Sequence, residues 1–309
     1  MVNTTSLLAE DLAGQSYTSP NYWQTQQRLR SLIDNYVAAE KLHERLQDLL
    51  KQFTNPQARP WKPIDWQAIN RNQIIGVDPE VFLSILIGAL DTEAPIRGYT
   101  QTSRQYLETL HPQMARVVGG TVGEDGELQE IGLWEKEERQ HTPALLKVYT
   151  QLTGEKITPK LRTVRGYLPT DDPQEDLYRH GLHRVATEYG ATCLYLWMMA
   201  HTTGALQDVL EELTKDEVNH MTKFWGFGVW AYPDTGLIRI TKTLIKTRSQ
   251  SYQRNNLMRT LRRMMNTLNW KDWTTANKAT LLFTFTYTMH HLWKWHNTLT
   301  PQYLQNLFE

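Results

Sequence analysis

The run Leu133-Trp134-Glu135-Lys136-Glu137-Glu138-Arg139-Gln140-His141 decides how this chain is read, together with its later echo Thr214-Lys215-Asp216-Glu217-Val218-Asn219-His220. Both end in Glu-x-x-His inside stretches of helical character. Residues three apart lie one above the other on one helical face, so in each run a carboxylate and an imidazole can reach the same metal ion. The spacing alone is a weak signal, because the chain holds two further Glu-x-x-His pairs, Glu40-His43 and Glu108-His111. Glu40-His43 sits in the charged run Glu40-Lys41-Leu42-His43-Glu44-Arg45 and reads as a solvated face. Glu108-His111 falls at the end of its helix and reads as a pair near the C-terminal dipole.

Around these runs the pattern is helical. A long polar helix is expected from Asn21 to Phe53, with Leu29, Leu32, Ile33, Tyr36, Val37 and Leu42 at helical spacing. It follows a loose tail over residues 1–19. The segment Ala58-Arg59-Pro60-Trp61-Lys62-Pro63 is too rich in proline for a helix and reads as an ordered loop. The next helix starts at Asp78-Pro79, a capping residue followed by proline in the first turn. It runs to about His111 with a kink at Pro95. Further helices are expected from roughly Glu127 to Thr153, Pro173 to Thr203, Ala205 to Phe224 and Thr274 to His296. The fold class is therefore all-α, a helical bundle with additional N-terminal and C-terminal helices. The division read from the chain is a tail over 1–19, the bundle over 20–235 and a basic and aromatic helical extension over 236–309.

Two isolated acids complete the pattern. Glu93 lies between Leu90 and Ala94-Pro95-Ile96, and Glu188 among Val185, Ala186, Tyr189 and Ala191. Carboxylates in such company are costly to bury unless they are paired or bind metal. In antiparallel helices, ligands meet only at equal depth from the connecting turn, at about 1.5 Å per residue. Glu93 lies about 18 residues before its helix ends and Glu138 about 12 after the next begins; Glu188 lies about 15 before Thr203 and Glu217 about 12 after Ala205. Both pairs fit one level in mid-bundle. One Glu from each of two helices and a Glu-x-x-His from each of two others is the ligand set of a ferritin-like di-iron site. The expected ligands are Glu93, Glu138, His141, Glu188, Glu217 and His220.

At these residues the chain resembles the soluble acyl-(acyl-carrier-protein) desaturases. The family's Thr-Glu-Glu is similar to Thr92-Glu93-Ala94, its Trp-Thr-Ala-Glu-Glu-Asn-Arg-His to Trp134 through His141, and its Asp-Glu-Lys-Arg-His to Asp216-Glu217-Val218-Asn219-His220. Its Trp-x-Pro matches Trp61-Lys62-Pro63, and its Asp-Pro-Asp-Gly turn looks like Tyr232-Pro233-Asp234-Thr235-Gly236. The resemblance covers roughly Pro60 to Arg248. It implies two iron ions, one held by Glu93 and His141 and the other by Glu188 and His220, with Glu138 and Glu217 bridging. It also implies that Asp216 and Trp61 support His141 from outside, on a route for electrons or protons. The implied reaction is O2-dependent insertion of a double bond into a fatty acyl chain on acyl-carrier protein, with a ferredoxin-type reductant and a homodimeric enzyme. Three positions depart from the family. Ala191 stands where it has threonine, with Thr192 adjacent, and Gln140 and Asn219 replace arginines. Ala191 slightly favours a rival, another di-iron oxidase such as a hydroxylase or an enzyme acting on fatty aldehydes or amines. A non-catalytic iron-binding bundle is a third reading.

Composition sets the remaining bounds. The formal net charge is zero, which argues against a nucleic-acid binder. The lone Cys193 excludes an intramolecular disulfide and fits a reducing, cytoplasmic setting. No apolar run is long enough for a transmembrane segment. An acidic carrier protein needs a basic face, and the nine basic residues from Arg239 to Lys271 are its first candidate, Lys156 to Arg165 the second. His290, His291 and His296, set among Trp293 and Trp295 without a carboxylate, read as packing and interfacial residues.

Overall fold

The structure is a computed structural model that describes residues 19–160, 164, 166–167, 169–232, 268 and 270–309. It is an all-α helical bundle with two short strands among the described residues. The helices are α1 (Tyr22–Tyr36), α2 (Leu42–Leu46), α3 (Leu49–Thr54), α4 (Pro79–Glu93), α5 (Ile96–Leu107), α6 (Pro112–Gly119), α7 (Leu133–Glu138), α8 (His141–Thr153), α9 (Pro173–Ala200), α10 (Gly204–Ala231), α11 (Thr275–Thr298) and α12 (Pro301–Phe308). No described helix is long and apolar enough to cross a membrane.

The centre of the bundle is the hairpin α9–α10, two helices of 28 residues each. Its buried side chains include Leu196, Trp197, Met198, Met199, Leu206 and Leu210, so α9 is covered nearly all round near the turn. The turn between them is pinned from outside. Thr203 N–H donates to Gln73 O at 3.0 Å and Ile75 N–H to His201 O at 2.9 Å. Arg28 donates to Ala200 O at 2.9 Å and Thr202 O at 2.8 Å, placing a cation where the α9 carbonyls run out of helical partners. The short connection makes the helices antiparallel. Glu188 lies 12 residues before Ala200 and Glu217 13 after Gly204, so both lie about 18–20 Å from the turn. The expected depth match holds for this pair.

Three expected long helices are broken, each for an identifiable reason. The stretch 21–53 divides after Tyr36, because Val37 and Ala38 leave the helical conformation. The carbonyls set free there find side-chain donors: Arg45 bonds Tyr36 O at 2.6 Å and Trp295 bonds Val37 O at 2.9 Å. The stretch 78–111 stops at Glu93 rather than kinking. Pro95 has no N–H to offer the preceding turn, and α5 restarts on the Pro95 carbonyl. The depth count from Glu93 to His111 therefore does not apply, and Glu93 reaches the site because α4 packs against α8. The stretch 127–153 opens with a hairpin, Thr121–Val122 against Leu128–Glu130, and breaks again between Glu138 and His141. Pro143 removes the N–H that would close onto Arg139.

The C-terminal helix α11 packs on α1 and α9. Trp197 Nε1 donates to Thr280 Oγ1 at 2.9 Å and Tyr189 Oη to Phe285 O at 2.7 Å. His291 bonds Asp34 at 2.9 Å, while His290 is exposed, in keeping with packing and surface roles. The tail over 1–18, the turn after Tyr232 and the basic run from Arg239 to Arg263 lie outside the described residues.

Candidate metal centre

Glu93, Glu138, His141, Glu188, Glu217 and His220 are all buried and converge in mid-bundle. They form two overlapping sets, Glu93–Glu138–His141–Glu217 and Glu138–Glu188–Glu217–His220, whose ligand atoms lie within 4.8 Å of one another. Glu138 and Glu217 belong to both. His141 Nδ1 lies 3.3 Å from both Glu138 Oε2 and Glu217 Oε1, and 3.8 Å from Glu93 Oε2. His220 Nδ1 lies 3.1 Å from Glu138 Oε1, 3.9 Å from Glu188 Oε2 and 4.0 Å from Glu217 Oε2. The break between α7 and α8 keeps Glu138 and His141 within reach of each other, so the motif works across two helices. The other two Glu-x-x-His pairs stay outside. Glu40 and His43 are exposed. His111 does not end a helix but starts one, its Nδ1 accepting from Met114 N–H at 3.1 Å, while Glu108 pairs with Arg104.

Each imidazole is held from outside by a carboxylate. His141 Nε2–H donates to Asp216 Oδ2 at 3.3 Å and His220 Nε2–H to Glu137 Oε2 at 2.9 Å. A carboxylate acceptor at Nε2 favours an N–H there and turns each Nδ1 toward three of the four inner carboxylates. Both Nδ1 atoms, and both oxygens of Glu217, are buried without a hydrogen-bond partner. Orphaned buried polar atoms are rare, and these four are gathered in one cluster. Imidazole nitrogen and carboxylate oxygen are donors suited to first-row transition metals. The group could hold a metal ion.

The electrostatics follow from burying acids together. Burial, then the neighbouring Glu138, pushes Glu93 up to about 7 and raises Glu188 and Glu217. Burial also acts on Glu138, but His141 and His220 outweigh it and hold that carboxyl below the usual range. Burial opposes protonation of both imidazoles, yet Glu138 with Asp216 on one side and Glu137 on the other raise them. The cluster without metal is thus short of positive charge and draws protons in.

Further contacts fix the carboxylates. Tyr195 Oη donates to Glu93 Oε1 at 2.9 Å and Trp134 Nε1 to Glu138 Oε1 at 2.9 Å. The buried Arg184 guanidinium lies over the Trp134 ring at 5.1 Å. Trp61 Nε1 donates to Asp216 Oδ2 at 2.7 Å, which places Trp61 and Asp216 in contact as expected. A small apolar pocket lined by Phe53, Val117, Leu133 and Phe224 reaches His220. Thr192, one turn beyond Glu188 on the same face of α9, has a buried hydroxyl without a partner.

Two contributors were missed in the sequence. Glu137 takes the role toward His220 that Asp216 takes toward His141, and the signal was an acid directly before each ligand Glu (Glu137-Glu138 and Asp216-Glu217). Arg59 touches both of those outer acids and had no local signal. No protein-family model, curated protein or solved structure matches this chain.

Proposed function

We propose that the protein is an O2-dependent di-iron oxidoreductase of the ferritin-like kind, acting on a fatty acyl chain carried by acyl-carrier protein and inserting a double bond. The observation that carries the reading is the pair of overlapping ligand sets sharing Glu138 and Glu217, with both Nδ1 atoms turned inward and unpartnered. Glu93 and His141 would hold one iron, Glu188 and His220 the other, and Glu138 and Glu217 would bridge. Such a pair, given two electrons by a ferredoxin-type donor, would supply the reductive activation of O2 that removing hydrogen from an unactivated CH2 requires. The substrate class rests on the motifs shared with the acyl-carrier-protein desaturases.

The chain's own residues have definite tasks in this reaction. Asp216 and Glu137 favour an N–H at Nε2 of each imidazole, so that Nδ1 would be the ligating atom. Tyr195 holds one oxygen of Glu93, leaving the other facing His141, and Trp134 orients Glu138 through Oε1 so that its two oxygens face the two imidazoles. Leu133, Phe224 and the neighbouring apolar side chains keep water from the His220 side. Half-buried Trp61, bonded to Asp216, links the solvent face to His141 and is the proposed entry for electrons from a ferredoxin-type donor. Exposed Lys156, Lys160 and Lys271, with the basic residues of the C-terminal run, would meet the acidic carrier protein. A homodimer is part of the same proposal.

The test is mass analysis of acyl products after incubating the iron-loaded protein with acyl-carrier-protein thioesters, O2 and reduced ferredoxin. A product lighter by two hydrogen atoms supports desaturation. One heavier by an oxygen atom moves the reading to a hydroxylase, which the exchange of threonine for Ala191 favours. No O2 consumption beyond that of reductant alone leaves a binding protein without turnover.

A further inference from the structure

Arg59 sits between Ala58 and Pro60 in the loop after α3, and proline disfavours helical backbone at the residue before it. Its main-chain N–H and side chain reach different neighbours. The N–H donates to Glu137 Oε1 at 2.7 Å. The guanidinium donates through Nε to Asp216 Oδ1 at 2.9 Å, and its Nη2 lies 2.7 Å from the same oxygen. Nη1 reaches Glu212 Oε2 at 2.5 Å and Nη2 the Glu212 carbonyl at 2.9 Å, one turn before Asp216 on α10. Asp216 and Glu212 are buried, and the Arg59 side chain retains about a quarter of its exposure (23%). All three guanidinium nitrogens are engaged, and the contacts are of the charge-assisted kind that fix geometry as well as charge.

Glu137 is the outer partner of His220 and Asp216 that of His141. One loop residue therefore touches the support of both imidazoles, on helices that are 83 and 75 positions from those imidazoles in sequence. We propose that Arg59 is the positioning residue that holds both halves of the metal centre in register, its guanidinium acting on His141 through Asp216 and its main-chain N–H acting on His220 through Glu137. The inference rests on the two-metal reading of the site. It carries an asymmetry that a merely structural role lacks. Changing the side chain cuts the Asp216 arm and spares the main-chain arm, so one half of the centre weakens while the other is kept.

The test uses Co2+ as probe on metal-free full-length protein, read by the visible absorption of the bound ion and by competition with a chelator. Loss of a partner that orients a ligating histidine costs typically 10–100-fold in metal affinity. Arg59→Gln should weaken one of the two Co2+ equivalents by about that factor and leave the other near wild type. Glu137→Gln should weaken the opposite equivalent, and the double variant both. Arg59→Lys keeps the charge but reaches one acid at a time, and should restore part of the loss. Wild-type titration of Arg59→Gln, or equal weakening of both equivalents, overturns the proposal. Where Arg59→Gln fails to fold by circular dichroism, Arg59→Lys decides on the same criterion. A wild-type protein that binds no Co2+ sinks the metal reading itself, before any variant is compared.

Discussion

Replacing Glu217 by Gln should separate the cost of the empty site from its worth when filled. Both Glu217 oxygens are buried without a hydrogen-bond partner, and its ligand atom lies within 4.8 Å of those of Glu93, Glu138 and Glu188. Two carboxylates at that separation repel by roughly 3 kcal/mol at an effective dielectric of about 20. Burial and Glu138 accordingly raise the Glu217 carboxyl well above its ordinary range, which favours a proton there in the metal-free protein. Gln has the shape of that protonated acid. Metal-free stability at pH 7 should therefore change by less than about 1 kcal/mol, whereas breaking an ordinary buried ion pair costs about 3–5 kcal/mol. With metal the sign is different. Two sites filled at a hundred times their Kd add about 5 kcal/mol of stability, which at about 2–4 °C per kcal/mol is a rise in Tm on the order of 10 °C or more. Glu217 belongs to both ligand sets, so Glu217→Gln should lose most of that rise. The assay is urea and thermal unfolding of both proteins, anaerobically, in chelator and in excess Fe2+ or Co2+. A loss above about 2 kcal/mol in chelator, or an undiminished metal-induced shift, refutes the reasoning.

Other outcomes follow from single residues. Burial pushes His201 down to about 4 while it stays bonded to Ile75 O at 3.0 Å, against 6.5 when exposed. A base with a depressed folded pKa gives stability that is complete above about pH 6.5 and lost as pH falls toward 4, so the advantage of wild type over His201→Asn should shrink by about 2 kcal/mol between pH 7 and pH 5 in urea titrations; a constant difference would contradict it. Gly120 has φ +85° and a Cβ there would meet Glu130 O at 1.7 Å, whereas Gly126 at φ +79° faces open space. Gly120→Ala should abolish soluble expression or cost more than about 3 kcal/mol, and Gly126→Ala only about 1 kcal/mol, as denaturation midpoints will show. Cys193 is buried against α11 with its thiol pushed up to about 12 by burial. It should resist a thiol-specific chromophore in native buffer and react at once in denaturant; fast native labelling would mean that α9 and α11 separate.

What could be read from the chain and what could not divides along a physical line. Helical periodicity reports which face a residue occupies, and equal distance from a short turn reports height. Those two facts suffice for Glu188, Glu217 and His220, which lie on one continuous hairpin. The same count for Glu93 came to the right place through the wrong geometry, since α4 ends at Glu93 and the helices beyond it are separate. Pro143 stood two residues after His141 as a legible sign of the break between α7 and α8. The break after Tyr36 had no such sign, because its freed carbonyls are bonded by Arg45 and by Trp295, the latter 258 residues away.

Glu137 could have been found from sequence, as the acid standing before Glu138 where Asp216 stands before Glu217. The two motifs are then one pattern, acid-Glu-x-x-His, used twice. In each copy the candidate ligand Glu faces the centre, while the acid before it reaches across to the other helix's imidazole. This crossed arrangement means that neither half can be built from one helix. Glu138 cannot be set correctly unless α10 presents His220, and Glu217 cannot unless α8 presents His141. Arg59 closes the arrangement from a loop whose partners are 78 and 157 positions away, a relation that no periodicity encodes. The candidate ligands and the acids directly before them were legible because they obey local rules of spacing, whereas Arg59 was hidden because it answers only the need of buried carboxylates for a partner somewhere in the fold.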